Sequence, residues 1–396
     1  MTRVAYVCAD PGIPVFGTKG ASVHIQEMIR AWRARGAEVE VYAVRLGEDV
    51  PADLADLVVH HVPVGKGADP AEREVAQQRA AAEIGRLVAL SAPDVVHERY
   101  SLFSTVLHDV RERAATALPG AAPSTVLEVN APLVDEQRTH RVLVDGIAAE
   151  AALTAQVGAA DVVACVSTPV ADWVSERVDP LGGPGPEVVV VPNGVNTDRI
   201  RPVTPDLDGA PVVVFVGTLK PWHGVEHLLE AAVLAQVPWR LRVIGDGPQR
   251  QSIEEYARSA GLSVELTGAL PPEQVPAALE GALVAVAPYP QAPEQDHYFS
   301  PLKVYEYGAA ALPVVASRIG QIPEVVRHGE TGLLVPPSDS AALAAAIDSL
   351  AADPARARAM GAAGRALMEQ QHSWGHVLEA TLAPLAPLAP LAAVAR

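Results

Sequence analysis

Cysteine is nearly absent: Cys8 and Cys165 are the only two in 396 residues. Both sit in apolar, strand-like runs, which reads as two buried reduced thiols rather than a disulfide, and no cysteine spacing for zinc is possible. Cationic side chains are also few. Lys and Arg total 30 against 47 Asp and Glu, a net charge of −17. That balance argues against nucleic acid as a general partner and against a polybasic membrane anchor. No run is long and apolar enough to span a bilayer, so stable membrane insertion is not expected. The opening MTRVAYVCADPG has a short apolar run that stops at Asp10 and Pro11. It reads as a first strand, not a signal peptide, and the expected location is the cytoplasm.

What is present is a regular alternation of strands and helices, in a chain long enough for two domains. Val4-Ala5-Tyr6-Val7-Cys8 is an unbroken apolar run, as in the middle of a parallel sheet. A glycine loop follows, then a helix with Ile25, Met28, Ile29 and Trp32 on one face, then a strand over Glu38–Val44. Strand, loop, helix, strand opens a right-handed βαβ unit of Rossmann type. Gly17-Thr18-Lys19-Gly20 lies at the carboxyl end of the first strand, where open α/β sheets bind ligands. It lacks the GxGxxG spacing and would also read as a plain strand–helix connection. Strands ending near His97 and Asn130 place Glu98, Arg99, Tyr100 and Asn130 on the same sheet edge. Each could line a pocket or serve as a structural hydrogen-bonding residue. Glu136 lies on the helix that follows.

A proline- and glycine-rich stretch over 179–186 has linker composition, and the alternation then restarts. The expected division is 1–186 for one Rossmann-like domain, 187–372 for a second, and 373–396 for a last segment with a loose Ala-Pro-Leu tail. In the second half, GTLKPWHG over 217–224 follows a strand and precedes a helix, which puts Lys220 beside a helix start. A solvated lysine would look the same.

The most informative stretch is HYFSPLKVYEYGAAALPVVASRIGQIPE, His297–Glu324. Pro301 suits the first turn of a helix over about 302–310, Ser300 could cap it, and Pro313 stops it. Lys303 and Glu306 are three apart and share a face at the helix N-terminus, where free N–H groups and the dipole attract anions. A lysine there suits a diphosphate, and a carboxylate one turn on could accept two ribose hydroxyls. An ordinary surface ion pair has the same spacing.

SPLKVYEYGAAALPVVAS resembles the donor-site signature of retaining glycosyltransferases of family 4, in a subgroup with Ser-Pro-Leu-Lys in this loop. HERYSLF, LEVNAP and PNGVN, at 97–103, 127–132 and 192–196, look like further motifs of that family. The resemblance covers nearly the whole chain. It implies the GT-B fold, two Rossmann-like α/β domains facing a cleft, with Trp374 opening a segment that returns to the first domain. It implies transfer of a hexosyl group, with retention, from a nucleotide-diphosphate-sugar to a hydroxyl of a small-molecule or glycan acceptor. A UDP-sugar is the expected donor.

Glu306 matches the family's ribose carboxylate. The usual second Glu, eight residues earlier, is here Tyr298, and the usual Arg and Lys of the 217–224 loop are Thr218 and His223. Lys220 and Lys303 are the expected substitutes that neutralise the departing diphosphate, without a metal or other cofactor. With Glu306 they form the expected catalytic set. The implied donor contacts are Gly20, Thr218, His223, Gly268, Leu270, Ser300, Pro301, Leu302, Lys303 and Glu306. The implied acceptor contacts are Lys19, His24, Glu98, Arg99, Tyr100, Asn130 and Glu136. The departures at Tyr298 and Thr218 keep open a nucleotide-sugar-binding protein without turnover. An epimerase of the same fold is a third reading, and it would need an acid/base pair near the sugar.

Overall fold

The computed structural model of the chain describes residues 1–116, 122–178, 185–291 and 298–385. The linker composition at 179–184, His297 and the Ala-Pro-Leu repeats from 386 onward lie outside the described residues. The chain divides into two units, Met1–Pro192 with the segment that begins at Trp374, and Asn193–Ser373.

The first unit holds a parallel sheet in the order β3-β2-β1-β4-β5-β6-β7. Its strands are β1 (Arg3–Cys8), β2 (Glu38–Ala43), β3 (Val58–His61), β4 (Val95–Arg99), β5 (Ser124–Val129), β6 (Val162–Cys165) and β7 (Glu187–Val190). The strand expected to open the second domain, β7, instead pairs with β6 and completes the first sheet. β1, β5 and β6 are almost wholly buried, as continuous apolar runs in a doubly covered parallel sheet should be. Cys8 and Cys165 lie on β1 and β6, both buried and both free. Burial pushes each thiol up to about 12. The helix Gly20–Ala34 buries Ile25, Met28, Ile29 and Trp32, the expected face. The helix Trp374–Leu382 packs on it, with Trp374 edge-on to His24 at 4.8 Å.

The second unit repeats the plan with strand order β10-β9-β8-β11-β12-β13, again all parallel. The strands are β8 (Val212–Val216), β9 (Arg240–Ile244), β10 (Val264–Gly268), β11 (Ala282–Ala287), β12 (Val314–Ser317) and β13 (Gly332–Val335). Alternate residues of β8 feed two cores. Val212 and Val214 pack with Tyr305 and Tyr307, whereas Val213 and Phe215 pack with Leu228, Leu343 and Ile347. Asp339 and Asp353 cap the helices that follow β13 by accepting from the amides of Ala342 and Arg356, each worth about 1 kcal/mol.

In both sheets the strand order reverses beside the first strand of the unit: between β1 and β4, and between β8 and β11. Ligands of open α/β sheets bind at the carboxyl ends of the strands at such a switch point. The GTLKPWHG loop leaves the carboxyl end of β8, and Pro288 and Tyr289 leave that of β11. Gly224 joins the two. Its φ is +67°, and a Cβ there would meet the Pro288 carbonyl oxygen at 1.8 Å, so no other residue fits.

Candidate functional site

Lys303 is the centre of the arrangement at the second switch point. It occupies the second position of the helix Leu302–Ala309, which has no side-chain cap. The expected cap, Ser300, is engaged elsewhere. Its hydroxyl accepts from the Asn193 amide at 3.2 Å and lies 3.1 Å from the Tyr305 hydroxyl, while its carbonyl accepts from Asn193 Nδ2 at 2.9 Å. The PNGVN turn thus anchors the loop before the helix. Tyr307 ties the helix to the end of β8, accepting from the Val216 amide at 2.7 Å. The stem of Lys303 keeps some exposure, but Nζ is shut away from water and has no hydrogen-bond partner among the described residues. Nζ stands 4.3 Å from the Phe215 ring and 5.2 Å from that of Tyr289. Burial drives its pKa from 10.5 down to about 7, and Glu306 opposes only part of that shift. An ammonium held over two aromatic faces without an anion is costly, and it is satisfied when an anion arrives.

The 217–224 loop supplies the opposite wall. Gly217 has φ +152°, and a Cβ there would come within 2.8 Å of Lys303 Nζ. Thr218 is exposed, and its carbonyl accepts from His223 Nδ1 at 2.5 Å. His223 sits 6.3 Å from Phe215 and 6.0 Å from Tyr289, ring centre to ring centre. Burial first, and Lys303 second, hold its pKa at about 4, so the ring is neutral. Lys220 turns to the indole of Trp222, with Nζ 4.5 Å from the ring. Tyr289 also packs on Phe299, at 4.9 Å, next to Tyr298 and Ser300.

Glu306 lies one turn beyond Lys303. Its Oε1 is 3.5 Å from Arg199 Nη2, and Arg199 also donates to the Pro272 carbonyl at 3.2 Å. Sequence reading missed Arg199; the one signal was a cation three residues after the PNGVN turn. Gly268, with φ +78°, ends β10, and Leu270 is partly buried against the core that holds Tyr305 and Tyr307. A Cβ on Gly268 would be 3.5 Å from Arg250 Nη1. Ser300, Pro301, Leu302, Lys303, Glu306, His223 and Thr218 therefore gather around one switch point.

Gly20, the remaining expected donor residue, belongs to the first unit, where with Lys19 it opens the Gly20–Ala34 helix, both exposed. There the expected acceptor residues divide along β4. Successive side chains of a strand point to opposite faces, so His97 and Arg99 reach Glu128 whereas Glu98 turns away. Glu98 is fully buried and caps the Val106–Thr116 helix, accepting from the Ser104 hydroxyl and, at 3.2 Å, from the Leu107 amide. Burial raises its pKa to about 7. Glu128, on β5, gathers His24 at 2.9 Å, Arg99 at 2.7 Å, His97 at 3.4 Å and Asn130 at 2.5 Å. Burial alone would raise its carboxyl, but His24, His97 and Arg99 outweigh it and hold the group well below the usual range. His97 Nδ1 accepts from the Trp32 indole at 3.1 Å, which assigns its proton to Nε2, toward Glu128. Tyr100 is buried against Trp173, and Glu136 is half-buried on the Leu133–His140 helix. Glu128 and His97 stood in the motifs, but nothing in the sequence marks them as the hub. Among the described residues, no group of three or more His, Cys, Asp or Glu side chains is placed to hold a metal ion. No described helix is long and apolar enough to cross a membrane.

Two Rossmann-like units, with a buried cation that has no partner among the described residues at the second switch point, fit a GT-B glycosyltransferase. The comparisons agree. A family model described as "Glycosyltransferase Family 4" matches residues 18–199, and one described as "Glycosyl transferases group 1" matches 210–353. The alpha-maltose-1-phosphate synthase of Mycolicibacterium smegmatis is 31% identical, over 96% of this chain and 98% of its own length. A D-inositol 3-phosphate glycosyltransferase of Kineococcus radiotolerans is also 31% identical, over 94% and 91%. Among solved structures, HepE of Anabaena in complex with UDP superposes with a TM-score of 0.71 at 17% identity, over 98% of this chain and 100% of that one. Sucrose-phosphate synthase of Thermosynechococcus elongatus gives 0.69 at 21%, over 95% and 96%. The chain belongs to the family 4 glycosyltransferases.

Proposed function

We propose that this enzyme transfers a hexosyl group from a UDP-sugar to a hydroxyl of a small-molecule or glycan acceptor, with retention and without a metal. The observation that carries the reading is Lys303: a buried ammonium without a partner among the described residues, at a helix N-terminus with no side-chain cap, one turn from Glu306. The donor diphosphate lies against Lys303 and the free amides of that helix, its ribose hydroxyls donate to Glu306, and Lys220 adds a second charge at the loop. As the bond from the anomeric carbon to the phosphate oxygen breaks, the departing diphosphate gains negative charge, and these fixed groups stabilise it. The acceptor oxygen bonds to the anomeric carbon on the face the diphosphate leaves, and its proton passes to the departing phosphate oxygen. Neither step needs a protein nucleophile.

The acceptor is assigned to the first unit, at the sheet edge built by Lys19, His24, Arg99, Tyr100 and Asn130. The names of the relatives carry maltose 1-phosphate and inositol 3-phosphate. Small phosphorylated sugars and polyols are therefore the first acceptors to test. Two free buried thiols fit a reducing compartment, consistent with the cytoplasm.

The test is turnover of UDP-sugars with a panel of such acceptors, in the presence of a chelator, with the product anomer read by proton NMR. Product of the donor's own anomeric configuration, formed at an unchanged rate with chelator, supports the reading. An inverted product or complete loss with chelator overturns it. Tight donor binding without transfer to any acceptor would leave a binding protein.

A further inference from the structure

We propose that His223 is a specificity-determining residue that reads a hydroxyl of the transferred sugar, accepting a hydrogen bond at Nε2, rather than a contact to the diphosphate. The assignment rests on the donor-site reading of Lys303 given above. The first observation is the bond from His223 Nδ1 to the Thr218 carbonyl, 2.5 Å long. A carbonyl can only accept, so Nδ1 carries the proton. In a neutral ring Nε2 is then a lone pair, an acceptor. The second observation is position. His223 shares its two aromatic neighbours, Phe215 and Tyr289, with the Lys303 ammonium. The imidazole therefore packs against the same two rings as the anion-seeking cation. The third is charge. Lys303 and Lys220 both oppose a proton on the ring, and the Thr218 carbonyl that favours one does not outweigh them and burial.

An acceptor nitrogen repels a phosphate oxygen, which is itself an acceptor, and pairs well with a hydroxyl. In a nucleotide-sugar bound at Lys303 with its ribose hydroxyls on Glu306, the hydroxyl donors left for this loop are those of the transferred sugar. A family pattern that places a cation in this loop would bind the diphosphate from both sides. Here position 223 holds a neutral acceptor instead, and the diphosphate is left to Lys303, Lys220 and the helix amides.

The test separates the two halves of the donor. UDP, GDP and ADP and their glucose esters are titrated into the whole enzyme by calorimetry, and the pair that wild type binds is carried into three variants. His223→Asn keeps an N–H for the Thr218 carbonyl and removes the acceptor. His223→Gln can place an amide oxygen where Nε2 stood. His223→Lys supplies a cation. His223→Asn is expected to bind the nucleoside diphosphate within about twofold of wild type and to lose about three- to tenfold for the sugar ester. His223→Gln should retain more sugar-ester affinity than His223→Asn, and His223→Lys should bind the diphosphate more tightly and the sugar ester no better than His223→Asn. The split should persist from pH 6 to pH 8, since the ring stays neutral throughout. Equal losses for diphosphate and sugar ester in His223→Asn, with wild-type folding by circular dichroism, overturn the assignment and leave the donor site standing. Absence of wild-type binding to every nucleotide overturns both.

Discussion

If Lys303 receives the donor diphosphate as proposed, donor affinity should fall as pH rises above neutrality, because its pKa of about 7 leaves it half neutral at pH 7 in the free enzyme. The pKa of Lys303 is about 7 when the site is empty. A diphosphate beside Nζ favours the charged form and returns the pKa toward or beyond the ordinary 10.5. The sign follows from linkage. Binding raises the pKa, so affinity is complete below the free-enzyme value and is lost as pH climbs toward the value in the complex. With a free pKa of about 7, roughly 0.5 proton is taken up per nucleotide at pH 7 and roughly 0.9 at pH 8. Affinity should then drop about tenfold between pH 6 and pH 8, and about tenfold more by pH 9. The neighbouring groups do not share this window. His223 stays neutral, with its pKa at about 4, and burial raises the Tyr289 phenol far above it. UDP-glucose is the right probe, since its diphosphate does not titrate there. The assay is calorimetry at pH 8 in two buffers of different ionisation enthalpy, with the dissociation constant followed from pH 6 to 9. Lys303→Met should abolish the proton uptake. It should also stabilise the free protein by on the order of a few kcal/mol at pH 7, because a buried unpaired amine is removed. A pH-independent affinity with no proton uptake would refute the placement of Lys303 against the diphosphate.

Other variants probe the same geometry. Gly217→Ala inserts a methyl 2.8 Å from Lys303 Nζ at a φ of +152°, and should weaken nucleotide binding by about tenfold in the same titration; unchanged binding would mean that Lys303 does not need that space. Glu306→Ala should raise the donor KM and lower kcat/KM by about tenfold or more, since a charged hydrogen bond to a ribose hydroxyl is worth ~1.5–3 kcal/mol. Steady-state kinetics with the donor varied decides it, and unaltered donor kinetics would remove Glu306 from the site. Glu128→Gln leaves Arg99 and two histidines around a neutral amide and should cost about 3 kcal/mol, or on the order of 5–10 °C in the melting of the first unit. Calorimetric scanning reads it, and an unchanged transition would show that the network carries no stability.

Much of the fold was legible because parallel strands buried on both faces are plain apolar runs. Val4–Cys8, Val212–Val216 and Val314–Ser317 could hardly be anything else. The loops at the second switch point were legible for a related reason: glycine, proline and charge cluster at strand ends. Less visible was what depends on pairing across the sheet. β7 joined the first sheet because it hydrogen-bonds to β6, which composition near a linker does not reveal. Ser300 looked like a helix cap and became an anchor because Asn193, 107 positions away in the chain, takes both its hydroxyl and its carbonyl. Glu98 and Arg99 are adjacent in sequence, yet one caps a helix and the other meets Glu128, since a strand sends neighbours to opposite faces. His223 was expected among the donor contacts. Its neutrality came from burial, from Lys303 and from the fold of its own loop, none of which a loop motif states.

The central claim is that Lys303 receives a nucleoside diphosphate without a metal. Calorimetric titration of wild type and Lys303→Met with UDP, GDP, ADP and their sugar esters, with and without chelator, tests it most directly. One base bound at micromolar level, indifferent to chelator and weakened about ten- to a hundredfold in Lys303→Met, is the expected result. Binding that needs a divalent cation, or that survives Lys303→Met unchanged, would contradict it.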